Sequence, residues 1–223
     1  MNTIQILIAF FIVAFGQPGI STLSSILAGS IGYALFFYKL LDIPSKSRRF
    51  ILGFGFFFAV QLVQLYWLTS HPFLYIWIVY FGLSALMGAQ FALVCLFVTR
   101  KVLSSWVCLL FIPSLWTCLE WTREYWLSGF YFNLAGYTLT ATIYGLQNAS
   151  LFGIYGLTFY ALFTNITFTK AFFEKRLKIL ALATLLAFLP YAYGMVQFDR
   201  NQEQKYCYDK EHTKINALIC HSA

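Results

Sequence analysis

Three ionisable side chains, Glu120, Arg123 and Glu124, lie within five residues of one another at the end of an apolar stretch. Each costs roughly 2.5 kcal/mol or more to insert at the centre of a membrane helix, so the cluster needs a physical reason. Glu120 and Arg123 are three residues apart, hence on one helical face and able to pair. They could hold a charged lipid head group or orient a substrate near the membrane surface. They could equally form an internal ion pair, or extend their charged ends to the interface.

An aromatic loop punctuated by Gly129 and Gly136 follows this pair. Its aromatic side chains could form an interfacial belt at the depth of the lipid head groups, or they could contact acyl chains. The glycines permit sharp turns or close approach of a lipid, although they also suit an ordinary loop. We predict lipid-facing or substrate-facing roles for six residues: Glu120, Trp121, Arg123, Gly129, Phe130 and Tyr137.

A catalytic nucleophile is not expected in this chain. Cys95, Cys108 and Cys118 lie in apolar stretches, where a thiol has little thiolate character. His71 precedes a proline in a turn, and the His and Cys residues do not follow metal-ligand spacing. We therefore predict that these 223 residues hold no catalytic residue, no metal ion and no cofactor.

The composition is that of a membrane protein. Of 223 residues, 60% are hydrophobic and only 10% are charged, a balance that excludes a water-soluble domain. The net charge of +7 lies in the loops between apolar runs, so it indicates membrane orientation and not nucleic-acid binding.

Apolar runs predict an all-α fold, a polytopic membrane bundle of about seven helices within a domain spanning residues 1–198. Near the start of the sixth run are four small residues whose spacing indicates a face for close helix packing: Ala149, Ser150, Gly153 and Gly156. The predicted helices span residues 3–15, 20–41, 50–69, 73–99, 103–126, 143–170 and 179–198.

Basic residues set the predicted orientation. Three alternate loops, after the second, fourth and sixth helices, hold ten of the fifteen Lys and Arg residues. The positive-inside rule places these loops and the N-terminus in the cytoplasm. The polar tail, residues 199–223, would then lie on the opposite side, and its apolar run over residues 215–220 predicts a first strand of a further domain.

Several separated motifs resemble the membrane domain of the bacterial apolipoprotein N-acyltransferase family. One is W-x-x-x-E-W-x-R at 116–123, followed by Gly-Phe at 129–130, L-x-G-Y at 134–137 and the run 149–159. AFGQP at 14–18 and WLTS at 67–70 are similar to that family as well. One departure is Tyr131-Phe132, where the family has Pro-Trp, which weakens the case for a head-group role of that loop.

The resemblance implies an inner-membrane protein whose tail begins a truncated α/β nitrilase-like domain, facing the periplasm. That domain would supply a Glu, a Lys and a Cys. The Cys would take an acyl chain from a phospholipid, releasing lysophospholipid, and the N-terminal cysteine amine of an apolipoprotein would then accept it. On this resemblance the present chain is the membrane part only and is expected to be inactive alone.

The residues are also compatible with a different class of function, that of a small non-enzymatic membrane protein that binds lipid or resembles a transporter. Such a protein would direct polar side chains towards one cavity at mid-membrane. Gln61, Gln64 and Gln90 are its candidates.

Overall fold

The computed structural model describes residues 3–126, 129 and 131–221, and within these ranges every regular element is helical. This confirms the predicted all-α class. Two 3-10 turns, Tyr66–Ser70 and Ala135–Leu139, interrupt the helices, and α2 contains one π turn, Ala28–Gly32. The helices are α1 Thr3–Ala14, α2 Thr22–Leu40, α3 Lys46–Gln64, α4 Ile76–Phe97, α5 Arg100–Ser104, α6 Cys108–Trp121, α7 Arg123–Trp126, α8 Ile143–Gln147, α9 Ala149–Glu174 and α10 Leu177–His221.

In the part of the chain that the structure describes, four stretches are long and apolar enough to cross a membrane: α2, α4, α9 and the first part of α10, Leu177–Arg200. The predicted helices differ from the structure mainly where a run is divided. The run predicted over 103–126 is broken around Ser105 and again at Thr122. The first break follows from Lys170, whose buried ammonium donates to the carbonyl of Leu103 at 2.5 Å and so satisfies a helix end.

An aromatic cluster centred on Phe91 forms the core between α2, α3, α4 and α6. The Phe91 ring lies 4.7 Å from that of Phe57, 5.6 Å from Phe37 and 5.1 Å from Trp116, with the Trp116 ring edge-on. Such offset and edge-to-face contacts add about 0.5–1.5 kcal/mol per pair beyond area burial. They matter here because lipid tails solvate apolar side chains as well as protein does, which leaves close packing to hold helices together.

The π turn in α2 is held by Asn165 of α9. The Asn165 amide donates to the carbonyls of Ala28 and Gly29, both at 3.0 Å, and its oxygen accepts from the N–H of Ala34 at 2.9 Å. A π turn frees backbone groups from the regular helical ladder, and a buried amide is well suited to pair with them.

Asn165→Leu is therefore expected to destabilise the bundle by about 1–3 kcal/mol for each backbone group left without a partner. Thr167→Val is the matched control, because the Thr167 hydroxyl donates to the carbonyl of Phe163 in its own helix and so joins no second segment among the described residues. Unfolding in a denaturing detergent, followed by circular dichroism, measures both variants. Equal losses for the two would contradict the role assigned to Asn165.

The structure contradicts two expectations from the sequence. The strand expected over 215–220 is helical, because a lone strand leaves its backbone groups unpaired whereas a helix pairs them locally. The small-residue face of α9 is not a packing seam at its start, where Ser150 and Gly153 are exposed and Gly153 has φ 62°, which kinks the helix. The buried face of α9 begins at Leu157.

Candidate functional site

Glu120 lies in the last turn of α6, and its carboxylate is fully buried. One oxygen accepts hydrogen bonds from Nε1 of Trp116 and from the backbone N–H of Ala135, both at 2.8 Å. The other oxygen accepts from the hydroxyl of Thr158 at 2.6 Å. Donors from α6, from the turn at 135–139 and from α9 thus converge on one carboxylate, which compensates its burial and ties the three segments together.

Thr158 extends this network by a second bond. Its hydroxyl oxygen accepts from the backbone N–H of Gly136 at 3.0 Å while the hydroxyl donates to Glu120. Two consecutive backbone N–H groups of the turn, those of Ala135 and Gly136, are therefore fixed by side chains of α6 and α9. The loop after α7 is held at its far end by buried polar groups.

Arg123, the first residue of α7, is only 2% exposed. Its Nε donates to Oε1 of Gln90 at 2.8 Å, and Gln90 in turn donates to the carbonyl of Leu119 at 3.0 Å. The Arg123 Nη2 lies 4.0 Å from Oε1 of Glu120, an ion pair but too long for a hydrogen bond. Both terminal nitrogens lack a hydrogen-bond partner, so attraction to Glu120 and the bond to Gln90 together offset the burial of this charge.

The amides proposed for a transporter-like cavity are bonded within the protein. Gln61 donates to Gln64 at 3.1 Å, and Gln64 donates to the carbonyl of Val13 at 2.8 Å. Asn133 of the loop donates to Gln61 at 3.0 Å. These bonds join the loop to α3 and α1, which is a structural role and gives no support to a transport pathway.

The structure separates the predicted site residues into two groups. Glu120 and Arg123 are 0% and 2% exposed, and their charged ends lie 4.0 Å apart, a geometry that favours the internal ion pair among the alternatives. Trp121 is 47% exposed on the outer surface and packs edge-on against Tyr125 at 5.1 Å. Contact of any of these residues with lipid stays a prediction.

The loop residues of the predicted site lie further along the chain. Gly129 has φ 84°, a conformation that favours glycine, and Tyr137 is half-buried in the turn. Phe130 lies outside the described residues.

Three members of the network were not predicted from the sequence as its partners. Trp116 precedes Glu120 by four residues, so helical spacing could have identified it. Thr158 and Gln90 are 38 and 33 residues from the charges that they bind, and local patterns carry no signal for such contacts.

A family model described as "Apolipoprotein N-acyltransferase N-terminal domain" matches residues 7–167. This range contains the whole polar network around Glu120 and Arg123. The chain belongs to this family.

Curated relatives extend the similarity. The apolipoprotein N-acyltransferase of Chlamydia pneumoniae is 30% identical over 203 residues, covering 86% of this chain and 37% of the relative. That of Chlamydia muridarum (strain MoPn / Nigg) is 32% identical over 176 residues, covering 74% and 32%. That of Geobacter metallireducens is 32% identical over 162 residues, covering 69% and 30%. The chain thus spans about a third of the length of these relatives.

Family membership and the four apolar helices together make this a bacterial membrane protein. The resemblance noted in the sequence motifs is confirmed.

Proposed function

We propose that this chain is the membrane part of an apolipoprotein N-acyltransferase, which moves an acyl chain from a membrane phospholipid to the N-terminal cysteine amine of an apolipoprotein. The observation that carries the proposal is the family match over residues 7–167. The catalytic Glu, Lys and Cys would come from a nitrilase-like domain. The residues of this chain would position that domain and the lipid.

The buried network supports a division of labour within the predicted site. Glu120 holds the turn at 135–139 through the backbone N–H of Ala135 and the hydroxyl of Thr158, and Arg123 lies beside Glu120 as its ion-pair partner. The rim that faces lipid would then be formed by the exposed Trp121 and by Gly129, Phe130 and Tyr137. A fixed rim favours catalysis because it removes conformational freedom before the lipid arrives.

The proposed orientation places the N-terminus in the cytoplasm and the tail in the periplasm of an inner-membrane protein. Its support is that the basic loops meet at one end of the bundle. Arg100 pairs with Asp42 at 3.0 Å and lies 5.9 Å from the centre of the Phe173 ring, so the loops after α2, α4 and α9 are neighbours. Gathering the positive charges at one end is the pattern of a cytoplasmic surface.

Acyl transfer to a diacylated lipopeptide tests this function. The 223-residue chain alone, reconstituted with phospholipid, is expected to give no triacylated product. The Cys that would form the acyl thioester belongs, in this proposal, to the nitrilase-like domain. Addition of the nitrilase-like domain of a relative is expected to produce triacylated lipopeptide and lysophospholipid in equal amounts, measured by mass spectrometry.

The control is the same added domain with its catalytic Cys replaced by Ala, together with the domain in vesicles that lack this chain. Product from the chain alone would contradict the assignment of catalysis to the nitrilase-like domain. No product from the complemented sample, with both components folded and membrane-bound, would favour the non-enzymatic lipid-binding alternative.

A further inference from the structure

A groove of about 830 Å³ lies between α1 and α3, at the end of the bundle where the basic loops meet. Its walls are apolar, with Ile6, Leu7 and Phe10 on α1 and Ile51, Leu52 and Phe56 on α3. Its polar end is formed by Arg48 and by the 42–44 segment. From Arg48 to Phe56 the helix rises about 12 Å, more than a third of a hydrocarbon core of roughly 30 Å.

A second cavity of about 480 Å³ adjoins the polar end of this groove and shares the 42–44 segment with it. Three basic side chains line it, those of Arg49, Arg100 and Lys101. With Arg48 they make four positive charges around a single carboxylate, Asp42, which is already shared by Arg100 and Lys39. The adjoining cavities therefore carry an excess of positive charge.

Arg49 gives this region an unsatisfied donor. The side chain is only 6% exposed, its Nη1 donates to the carbonyl of Ile43 at 3.3 Å, and its Nε has no hydrogen-bond partner. A buried guanidinium nitrogen without an acceptor is costly. The same side chain lines the second cavity, where its guanidinium group provides a cation for a phosphate group.

We propose that an anionic phospholipid of the leaflet next to the basic loops binds here, its phosphate between Arg48 and Arg49 and an acyl chain in the groove between α1 and α3. Basic pockets between membrane helices select anionic head groups by charge, and the apolar walls require an occupant with a hydrocarbon chain. The site is distinct from the network around Glu120 and does not depend on the acyl-transfer function proposed above.

Lipid retained by the purified 223-residue chain tests this site. The protein is equilibrated with vesicles of equal parts phosphatidylglycerol and phosphatidylcholine, and bound lipid is quantified by mass spectrometry. The parent is expected to retain phosphatidylglycerol preferentially. Arg48→Gln should reduce that preference about fivefold, the effect of removing one basic contact near an anionic lipid. Gly55→Leu should reduce total retention, because a Cβ at Gly55 meets no neighbouring atom and the larger side chain can enter the groove.

Two matched controls accompany these variants. Lys178→Gln removes one exposed charge from the first turn of α10, and Gly82→Leu fills open space on α4. Both should retain lipid as the parent does. Equal retention of the two lipids by the parent would overturn the proposal, and so would control variants that lose as much as the test variants. Displacement of the bound lipid by inorganic phosphate alone would show a simple anion site and would overturn the role of the groove.

Discussion

Glu120→Ala is expected to lower the free energy of unfolding by roughly 3–5 kcal/mol, the cost of breaking a buried ion pair by removing one partner. The variant leaves the Arg123 charge in the interior with Gln90 as its side-chain hydrogen-bond partner. It also removes the acceptor of Trp116, Ala135 and Thr158, which join three segments through this carboxylate. Unfolding in a denaturing detergent, followed by circular dichroism, gives the measurement.

Two further variants separate the charge from the hydrogen bonds. Thr158→Val removes one donor to Glu120 and is expected to cost about 1–3 kcal/mol. Glu120→Gln combined with Arg123→Met removes both charges and should be less destabilising than the sum of the single variants, because neither charge is left unpaired. A Glu120→Ala variant within about 0.5 kcal/mol of the parent, the range of ordinary surface substitutions, would contradict the structural role of the network.

The sequence predicts the helices well because each apolar run carries its own signal of length and hydrophobicity. The spacing of Glu120 and Arg123 likewise predicts that they can pair, since the helical repeat is local. What local patterns cannot predict is depth. The same two residues are compatible with a lipid-facing surface or with a buried ion pair. Which of the two forms depends on packing against α4 and α9, which are distant in sequence.

The breaks within predicted helices have the same cause. The chain leaves the helix near Ser105 because the Lys170 ammonium, 65 residues away, binds the freed carbonyls. The π turn of α2 depends in the same way on Asn165, 136 residues from Gly29. In both cases one buried polar side chain satisfies an irregular backbone, and a scan for hydrophobic runs does not detect it.

Gly136→Ala is also expected to be strongly destabilising, by about 1–3 kcal/mol or more, because the site has no room for a methyl group. A Cβ at Gly136 would lie 2.6 Å from the carbonyl oxygen of Ile154 and 2.6 Å from the backbone nitrogen of Thr158. Both atoms belong to the backbone of α9, so rotation of a side chain cannot relieve the clash. The turn would have to move away from α9, which weakens the bond from Gly136 to Thr158 and, through it, the contact with Glu120.

Gly82→Ala is the control and is expected to change stability in the opposite direction. Gly82 lies on an exposed face of α4 where a Cβ meets nothing, so alanine should stabilise the helix by about 0.5–1 kcal/mol. Detergent unfolding measures both substitutions. If Gly136→Ala unfolds at the same detergent concentration as the parent, the turn has space to shift. Its attachment to α9 would then not be what fixes the loop, and the rim would have to be held by Asn133 and α3 instead.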